Sequence, residues 1–222
     1  MLTKNDLMTQ TTIPNVNDIS LALYKDFCED TLLNRYFRYL FLDGTSITIE
    51  FTAWGIYHML SIQHINNRIP RNNLFELIDN GLSLRDFRIN KSIKERFRKE
   101  KGRIASFSCI YQTLITGRCF YLPTGKVKNK ANVEVDYLIF NEIDGKGLNV
   151  GIRNTKGRFV PITMLIAKTS NREAYIKDAE RKLVKTLEVV NKGDGEILES
   201  VSYDFDLVDE KQDEEVECTQ IR

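Results

Sequence analysis

Residues 36–51 carry the sequence YFRYLFLDGTSITIEF, which predicts a β-hairpin. Aromatic and β-branched residues fill both arms, and the Asp43-Gly44 pair between them favours a tight turn. In the second arm, Ile47, Ile49 and Phe51 alternate with polar residues, so one face of that strand is expected to be buried. An antiparallel strand pair is therefore expected near the start of the folded part of the chain.

Helices are predicted on both sides of the hairpin. Asn17 or Asp18 is a suitable N-cap for a short helix through Ile19, Leu23 and Phe27. After the hairpin, apolar residues at helical spacing predict helices over residues 52–65, 74–78 and 84–103. Residues 104–115 fit a helix or a strand, and a helix is favoured.

From residue 118 onward the pattern changes from helical to alternating. Short strands separated by Gly-containing turns or loops predict an antiparallel meander over residues 119–122, 133–140, 148–153 and 159–168. The amphipathic segment 171–190 predicts a final helix, and residues 200–208 contain a candidate short strand. The expected fold class is α+β, an antiparallel sheet with helices packed on one side. The expected organisation is a flexible lead-in (1–17), one domain (18–192) and an acidic, largely disordered tail (193–222).

Composition excludes several classes of protein. Of the 222 residues, 42% are hydrophobic and 28% are charged, as in ordinary soluble globular proteins. No apolar run reaches the roughly 18 residues needed to span a bilayer, and residues 1–14 lack the apolar core of a secretory signal. We therefore expect a soluble, cytoplasmic protein without a membrane partner.

Charge is unevenly distributed along the chain. Residues 85–103 contain nine Lys or Arg and three Asp or Glu, whereas residues 204–217 contain eight acids and one Lys. Because the whole chain is +1 and the acidic segment is −7, the remainder carries +8. A basic body favours phosphate-bearing partners, although basic residues also simply solvate helix faces. The predicted nucleic-acid-binding residues are Arg85, Arg88, Lys91, Lys94, Arg98, Lys101, Arg103 and Lys130.

Cofactor and metal signatures are missing from the sequence. It contains no Walker loop, no GxGxxG, no GxSxG and no CxxC spacing. His58 and His64 are six residues apart, which in one continuous helix places them on roughly opposite faces. Glu134 and Asp136 share one face of a predicted strand and are the nearest approach to a metal-binding pair. We expect neither a cofactor nor a metal.

Metal-free cleavage of RNA needs few groups. A base removes the 2′-OH proton, an acid protonates the leaving oxygen, and cations or hydroxyls hold the phosphorane oxygens. The candidates for these roles are His58 as acid or base, Lys128 or Lys130 in a basic loop, and Arg153 and Thr163 as phosphate contacts. Each also has an ordinary structural explanation: a helix histidine packed on Trp54, solvated turn cations and a β-forming threonine.

The chain resembles the phage and mobile-element branch of the predicted nucleases with the barnase–EndoU–colicin–RelE-like fold. The resemblance spans residues 32–168 and consists of the helical F-x-x-W-G-I-Y-H-M-L, the strand VEVDYLIF with Asp136-Tyr137, and Pro161-x-Thr163. Members usually carry a glycine after the histidine-leucine pair, where this chain has Ser61. The resemblance implies helices layered on an antiparallel sheet and metal-independent RNA cleavage, often by a toxin or in phage–host conflict, with roles for His58, Arg153 and Thr163.

Two functions are therefore predicted. The first is a metal-independent RNA endonuclease of a mobile element, toxin or phage-defence system, with His58 as acid or base and Arg153, Lys128 and Thr163 at the phosphate. The alternative is a non-catalytic inhibitor that uses the basic stretch to bind nucleic acid or a protein. RNA is the expected partner, together with an antitoxin or a host defence protein. Convergence of His58, Arg153 and Thr163 in one groove would favour the enzyme.

Overall fold

The computed structural model describes residues 2–116, 118–127 and 133–203 and shows an α+β fold built on a curled, mostly antiparallel sheet. Its nine described strands lie in the order β7-β3-β4-β5-β6-β2-β1-β8-β9. The strands are β1 Arg35–Phe41, β2 Ser46–Glu50, β3 Arg118–Tyr121, β4 Tyr137–Ile143, β5 Lys146–Thr155, β6 Arg158–Ala167, β7 Glu180–Lys182, β8 Val184–Asn191 and β9 Ile197–Ser202. The predicted fold class is confirmed.

The helices lie between or before the strands. They are α1 Lys4–Thr9, α2 Leu21–Phe27, α3 Ala53–Met59, α4 Ile62–Ile65, α5 Leu74–Asp79, α6 Leu84–Ile89, α7 Lys94–Ser106 and α8 Ile110–Thr116. Each of them contributes buried residues to one main core against the sheet. A smaller core on the opposite face of β3–β6 is closed by loops, through residues such as Val127, Val135 and Ile176. The helices are thus packed on one side of the sheet, as expected.

The predicted hairpin and meander are both present. β1 and β2 pair antiparallel, with Tyr39 opposite Ile47, and Gly44 takes a positive φ of 80° at the turn. β3, β4, β5 and β6 follow one another as antiparallel neighbours. A single parallel pairing, between Ile49 and Phe159, joins the hairpin to the meander. The alternating apolar pattern predicts both units because each strand buries one face in the main core.

The predicted helix over 171–190 is wrong, because residues 180–182 form β7 and residues 184–190 belong to β8. β8 pairs with β1, with Leu187 opposite Tyr39, and buries Leu187 and Val189 on the same face. A spacing of four residues suggested a helix. The two-residue alternation and the β-branched content of VKTLEVV instead favour a strand beside the hairpin.

The continuous segment formed by β7 and β8 links the two halves of the curled sheet. Only Leu183 separates β7 from β8, yet β7 pairs with β3 and β8 pairs with β1. The backbone N–H of Leu42, beside the hairpin turn, donates to the carbonyl oxygen of Leu183 at 2.9 Å. The two halves of the sheet are therefore brought round toward each other, and α8 packs against β4 and β5 within the curve.

The chain ends differ from the expected organisation. The lead-in expected at 1–17 contains α1, which begins with a capping box between Thr3 and Asp6 and buries Leu7 completely. The N-cap of α2 is Ser20, rather than the expected Asn17 or Asp18. At the other end, residues 197–202 form β9 on β8, so this part of the expected tail belongs to the sheet. Residues 204–222, with the rest of that tail, lie outside the described residues.

Candidate nucleic-acid interface

His58 lies on α3, whose position is fixed by Gly55. The side-chain oxygen of Thr52 caps this helix by accepting the backbone N–H of Gly55 at 3.0 Å. A Cβ at Gly55 would lie 2.3 Å from the carbonyl oxygen of Pro161, so only glycine allows α3 to pack this closely on β6. The helix ends before Ser61, which has a left-handed φ of 58° and separates α3 from α4.

The left-handed Ser61 corrects the prediction of one helix over 52–65. Glycine adopts this conformation most readily, so a serine here is held by its surroundings. Ser61 is fully buried, and its hydroxyl accepts a hydrogen bond from Arg103 of α7. The break therefore connects the helix that carries His58 to the basic helix.

The imidazole of His58 is half-buried among aromatic rings. Its centroid lies 4.7 Å from that of Trp54 and 5.3 Å from that of Tyr57, both in edge-on arrangements. Burial lowers the pKa of His58, and the positive charges of Arg71 and His64 lower it further. These surroundings therefore favour the neutral ring over the protonated ring that would pair with phosphate.

Arg153 and Thr163 lie on the other side of the sheet. Ile152 belongs to the main core under the helices, so its neighbour Arg153 points to the opposite face. Thr163 packs beside Gly151 and Val135 on that same opposite face. The structure thus does not bring His58 together with Arg153 and Thr163, and Lys128 lies outside the described residues.

The acidic groups near Arg153 already have partners. Glu134 pairs with Arg153 at 3.1 Å, and Asp136 accepts the backbone N–H of Asn154 at 2.5 Å. Across the described part of the chain, no group of three or more His, Cys, Asp or Glu side chains is placed to hold a metal ion. Across the same residues, no helix is long and apolar enough to cross a bilayer.

The basic stretch predicted as a footprint folds into two helices joined at residues 90–93. Ser83 and Asp86 form a capping box that starts α6, and α7 begins after Ile93. Five of the predicted cations in this stretch are exposed on these helices or between them: Arg85, Lys91, Lys94, Arg98 and Lys101. The remaining predicted cation, Lys130, lies outside the described residues.

Two of the predicted cations turn inward instead. Arg88 donates to the carbonyl oxygen of Val16 at 2.9 Å and lies 5.8 Å above the ring of Phe97. Arg103 is largely buried, bonds to the hydroxyl of Ser61 and lies 3.8 Å from Glu100, while burial lowers its pKa. Arg103 is therefore a structural cation.

A cleft of about 400 Å³ lies between α7 and the 3₁₀ turn Val16–Asp18. We call it the α7 cleft. Its lining residues are Asn15, Val16, Asn17, Arg88, Lys94, Phe97, Arg98 and Lys101. Arg98 pairs with Glu95 at 2.6 Å, whereas Lys94 and Lys101 form no ion pair with any described residue. The cleft is therefore cationic, with an apolar floor at Phe97.

The sequence predicted one wall of this cleft and missed the other. Lys94, Arg98 and Lys101 follow a helical spacing that places them on one face. Asn15 and Asn17 were expected in a flexible lead-in, yet Leu7 and Ile19 on either side of them are buried in the main core. In the sequence, the apolar residues on either side of this short polar run were the available signal that the segment packs onto the domain.

Comparisons with protein-family models, curated proteins and solved structures found no match to this chain. The resemblance to the predicted nucleases therefore stays a prediction, and the α7 cleft is the feature of the structure that bears on function.

Proposed function

We propose that this protein binds nucleic acid through the α7 cleft. The observation that carries the proposal is the placement of Lys94, Arg98 and Lys101 in one cleft. Phosphate contacts from Lys and Arg supply most of the affinity of non-specific nucleic-acid binding, because they release condensed counterions. A cleft with exposed lysines that have no described acidic partner is suited to that role.

The length of the cationic face suits a short run of one strand. Lys94 and Lys101 are seven residues apart in α7, which at 1.5 Å per residue separates them by about 10 Å. Phosphates follow one another at about 3.4 Å along the axis of a B-form strand. Three side chains at this spacing can therefore contact about three consecutive phosphates.

The opposite wall offers neutral donors. The side-chain oxygen of Asn15 accepts the backbone N–H of Asn17 at 2.9 Å. This bond fixes the amide, and its NH₂ group is a donor of the kind that contacts phosphate oxygens. Arg88, held by Val16 at the base of the cleft, adds a positive charge whose position is fixed.

Catalysis has no comparable support. General acid–base cleavage needs the acid, the base and the phosphate contacts within hydrogen-bond reach of one scissile bond. His58 lies in the helical layer, while Arg153 and Thr163 lie across the sheet. The metal-independent nuclease and the antitoxin or host-defence partner stay predictions, and binding through the α7 cleft requires neither.

The test is the salt dependence of binding. Purified full-length protein is titrated into labelled single-stranded and double-stranded RNA and DNA at several salt concentrations. Replacing Lys94, Arg98 and Lys101 by alanine should weaken binding roughly ten- to a hundredfold near 0.1 M salt. The same change should flatten the slope of log K against log salt by about two to three, since each lost phosphate contact removes nearly one.

A matched control removes the same charge elsewhere. Lys146, Lys177 and Lys185 are exposed cations away from the α7 cleft, and their replacement by alanine should leave the slope unchanged. An equal loss of affinity in the two triple variants would refute the cleft as the binding site. RNA integrity is followed in the same samples with and without EDTA, and cleavage that persists in EDTA and is lost in His58→Ala would support the nuclease.

A further inference from the structure

The acidic segment 204–217 and the α7 cleft carry opposite charges. The segment has a net charge of −7, and the basic stretch 85–103 has nine cations against three acids. Glu95 and Glu100, two of those three acids, pair with Arg98 and Arg103, which leaves the exposed Lys94 and Lys101 without a described partner. The acids of the segment are Asp204, Asp206, Asp209, Glu210, Asp213, Glu214, Glu215 and Glu217.

The end of the described chain lies within reach of the cleft. The hydroxyl of Tyr203 donates to the carbonyl oxygen of Ile115 near the end of α8. The helical residues back to Cys109 span about 10 Å, and the sulfur of Cys109 contacts the carbonyl oxygen of Thr12 at 3.4 Å. Thr12 is three residues, or at most about 11 Å, from Asn15 in the cleft.

These contacts bound the distance from Tyr203 to Asn15 at roughly 40 Å. The fourteen residues 204–217 extend to about 46–50 Å when fully stretched. Even at that bound, the last acids of the segment, Glu215 and Glu217, can reach the α7 cleft of their own chain. Attachment to the same chain makes its contact with the cleft intramolecular, so the segment competes with nucleic acid at any protein concentration.

We infer that the acidic segment 204–217 occupies the α7 cleft of its own chain and competes with nucleic acid for it. This inference rests on the proposed nucleic-acid binding and adds its regulation. Carboxylates contact the same lysines that would contact phosphate, so occupation by one excludes the other. A nucleic acid that offers many phosphates displaces the segment, whereas a short one does not.

The experiment uses the full chain with the eight acids of 204–217 replaced by Asn or Gln. With the tethered competitor removed, binding of single-stranded RNA should tighten about tenfold at 0.05 M salt. The gain should shrink toward onefold at 0.5 M salt, because screening weakens the attraction that holds the segment. A matched control keeps all eight acids and replaces Phe205, Leu207 and Val208 by Ser, and its affinity should equal that of the wild type.

A double-mutant cycle separates occupation of the cleft from general repulsion. The neutral segment is combined with alanine at Lys94, Arg98 and Lys101, and in that background the tenfold gain should disappear. A gain that persists there would overturn the inference, since the segment would act by net charge alone. A gain in the Ser control, or one that depends on protein concentration as binding between chains would, also overturns it.

The remaining outcomes distinguish the two proposals. Equal RNA affinities for the wild type and the neutral-segment variant, with the Lys94, Arg98 and Lys101 variant still weakened, would remove the inference and leave the proposed function standing. RNA binding by none of the variants, the neutral segment included, would remove the proposed function and the inference with it.

Discussion

The cations of α7 and Arg153 of β5 lie in two regions of this protein that differ in how their cations are paired. On α7, Lys94 and Lys101 project into a cleft without an ion-pair partner among the described residues. On the far side of the sheet, Arg153 is paired with Glu134. A phosphate would have to displace a carboxylate from Arg153 but not from Lys94. The number of cations in a region is thus a poor guide to phosphate binding, and their pairing is a better one.

The difference follows from secondary structure. Within α7, charged neighbours meet at a spacing of three or four residues, and the pairs observed there are Glu95 with Arg98 and Glu100 with Arg103. In the sheet, residues far apart in sequence lie side by side, as in the pair Arg158–Glu50 at 3.3 Å. Surface pairs of this kind contribute little to stability, but they leave little net charge for a polyanion.

The largest effect on stability is expected from a substitution that displaces the helical layer from the sheet. Gly55→Ala places a methyl group 2.3 Å from the carbonyl oxygen of Pro161, a backbone atom that has little room to move. We expect the free energy of unfolding to fall by about 3 kcal/mol, as measured by urea denaturation. RNA affinity should also fall if the substitution shifts the helices that form the α7 cleft.

Gly102 provides the matched control for this substitution. It lies in the exposed part of α7, where an added Cβ would meet nothing within 4 Å. Gly102→Ala should raise the free energy of unfolding by roughly 0.5–1 kcal/mol through helix propensity. Equal effects of the two substitutions would show that α3 does not depend on its contact with Pro161.

A smaller effect separates the inward and outward cations of α7. Arg103→Ala removes the guanidinium that bonds to the buried hydroxyl of Ser61, and should lower the free energy of unfolding by about 1–2 kcal/mol. Lys101→Ala should leave stability nearly unchanged while weakening RNA binding. The reverse pattern, with Lys101 stabilising the fold and Arg103 only binding RNA, would mean that the two side chains exchange roles in solution.

Local patterns were sufficient to predict some parts of the fold and not others. The hairpin at 36–51 was predictable because its turn and its alternation both lie within sixteen residues. The segment 184–190 was mistaken for helix because its apolar residues fit both periods, and only the pairing with β1 decides between them. The same reason applies to the site. The cationic face of α7 is local in sequence, whereas its second wall comes from Asn15 and Asn17, some eighty residues earlier.

The candidate catalytic set failed to converge for a physical reason that the sequence does not display. Arg153 and Thr163 are on adjacent strands, and the alternation of β5 directs Arg153 away from the helices. Its orientation depends on which face of β5 the helices cover, and that is settled by long-range packing. His58 could be placed on a helix from sequence, but not on a side of the sheet.

The smallest expected effect concerns the pH dependence conferred by His58. Burial lowers its pKa, with Arg71 and His64 adding to the shift, so the folded state binds a proton less readily than the unfolded state does. As the pH falls through about 6.5, the ordinary value for histidine, the unfolded chain takes up the proton first and stability should decline. The decline should level off below the lowered pKa of the folded state.

The pH dependence of stability is measured from the thermal midpoints of the wild type and His58→Asn between about pH 8 and 5, and the variant should show the shallower slope. A wild-type thermal midpoint that rises on acidification across this range would contradict the placement of the ring. Such a rise would require the fold to stabilise the protonated imidazole. That is expected beside a phosphate or a carboxylate, and not between Trp54 and Tyr57.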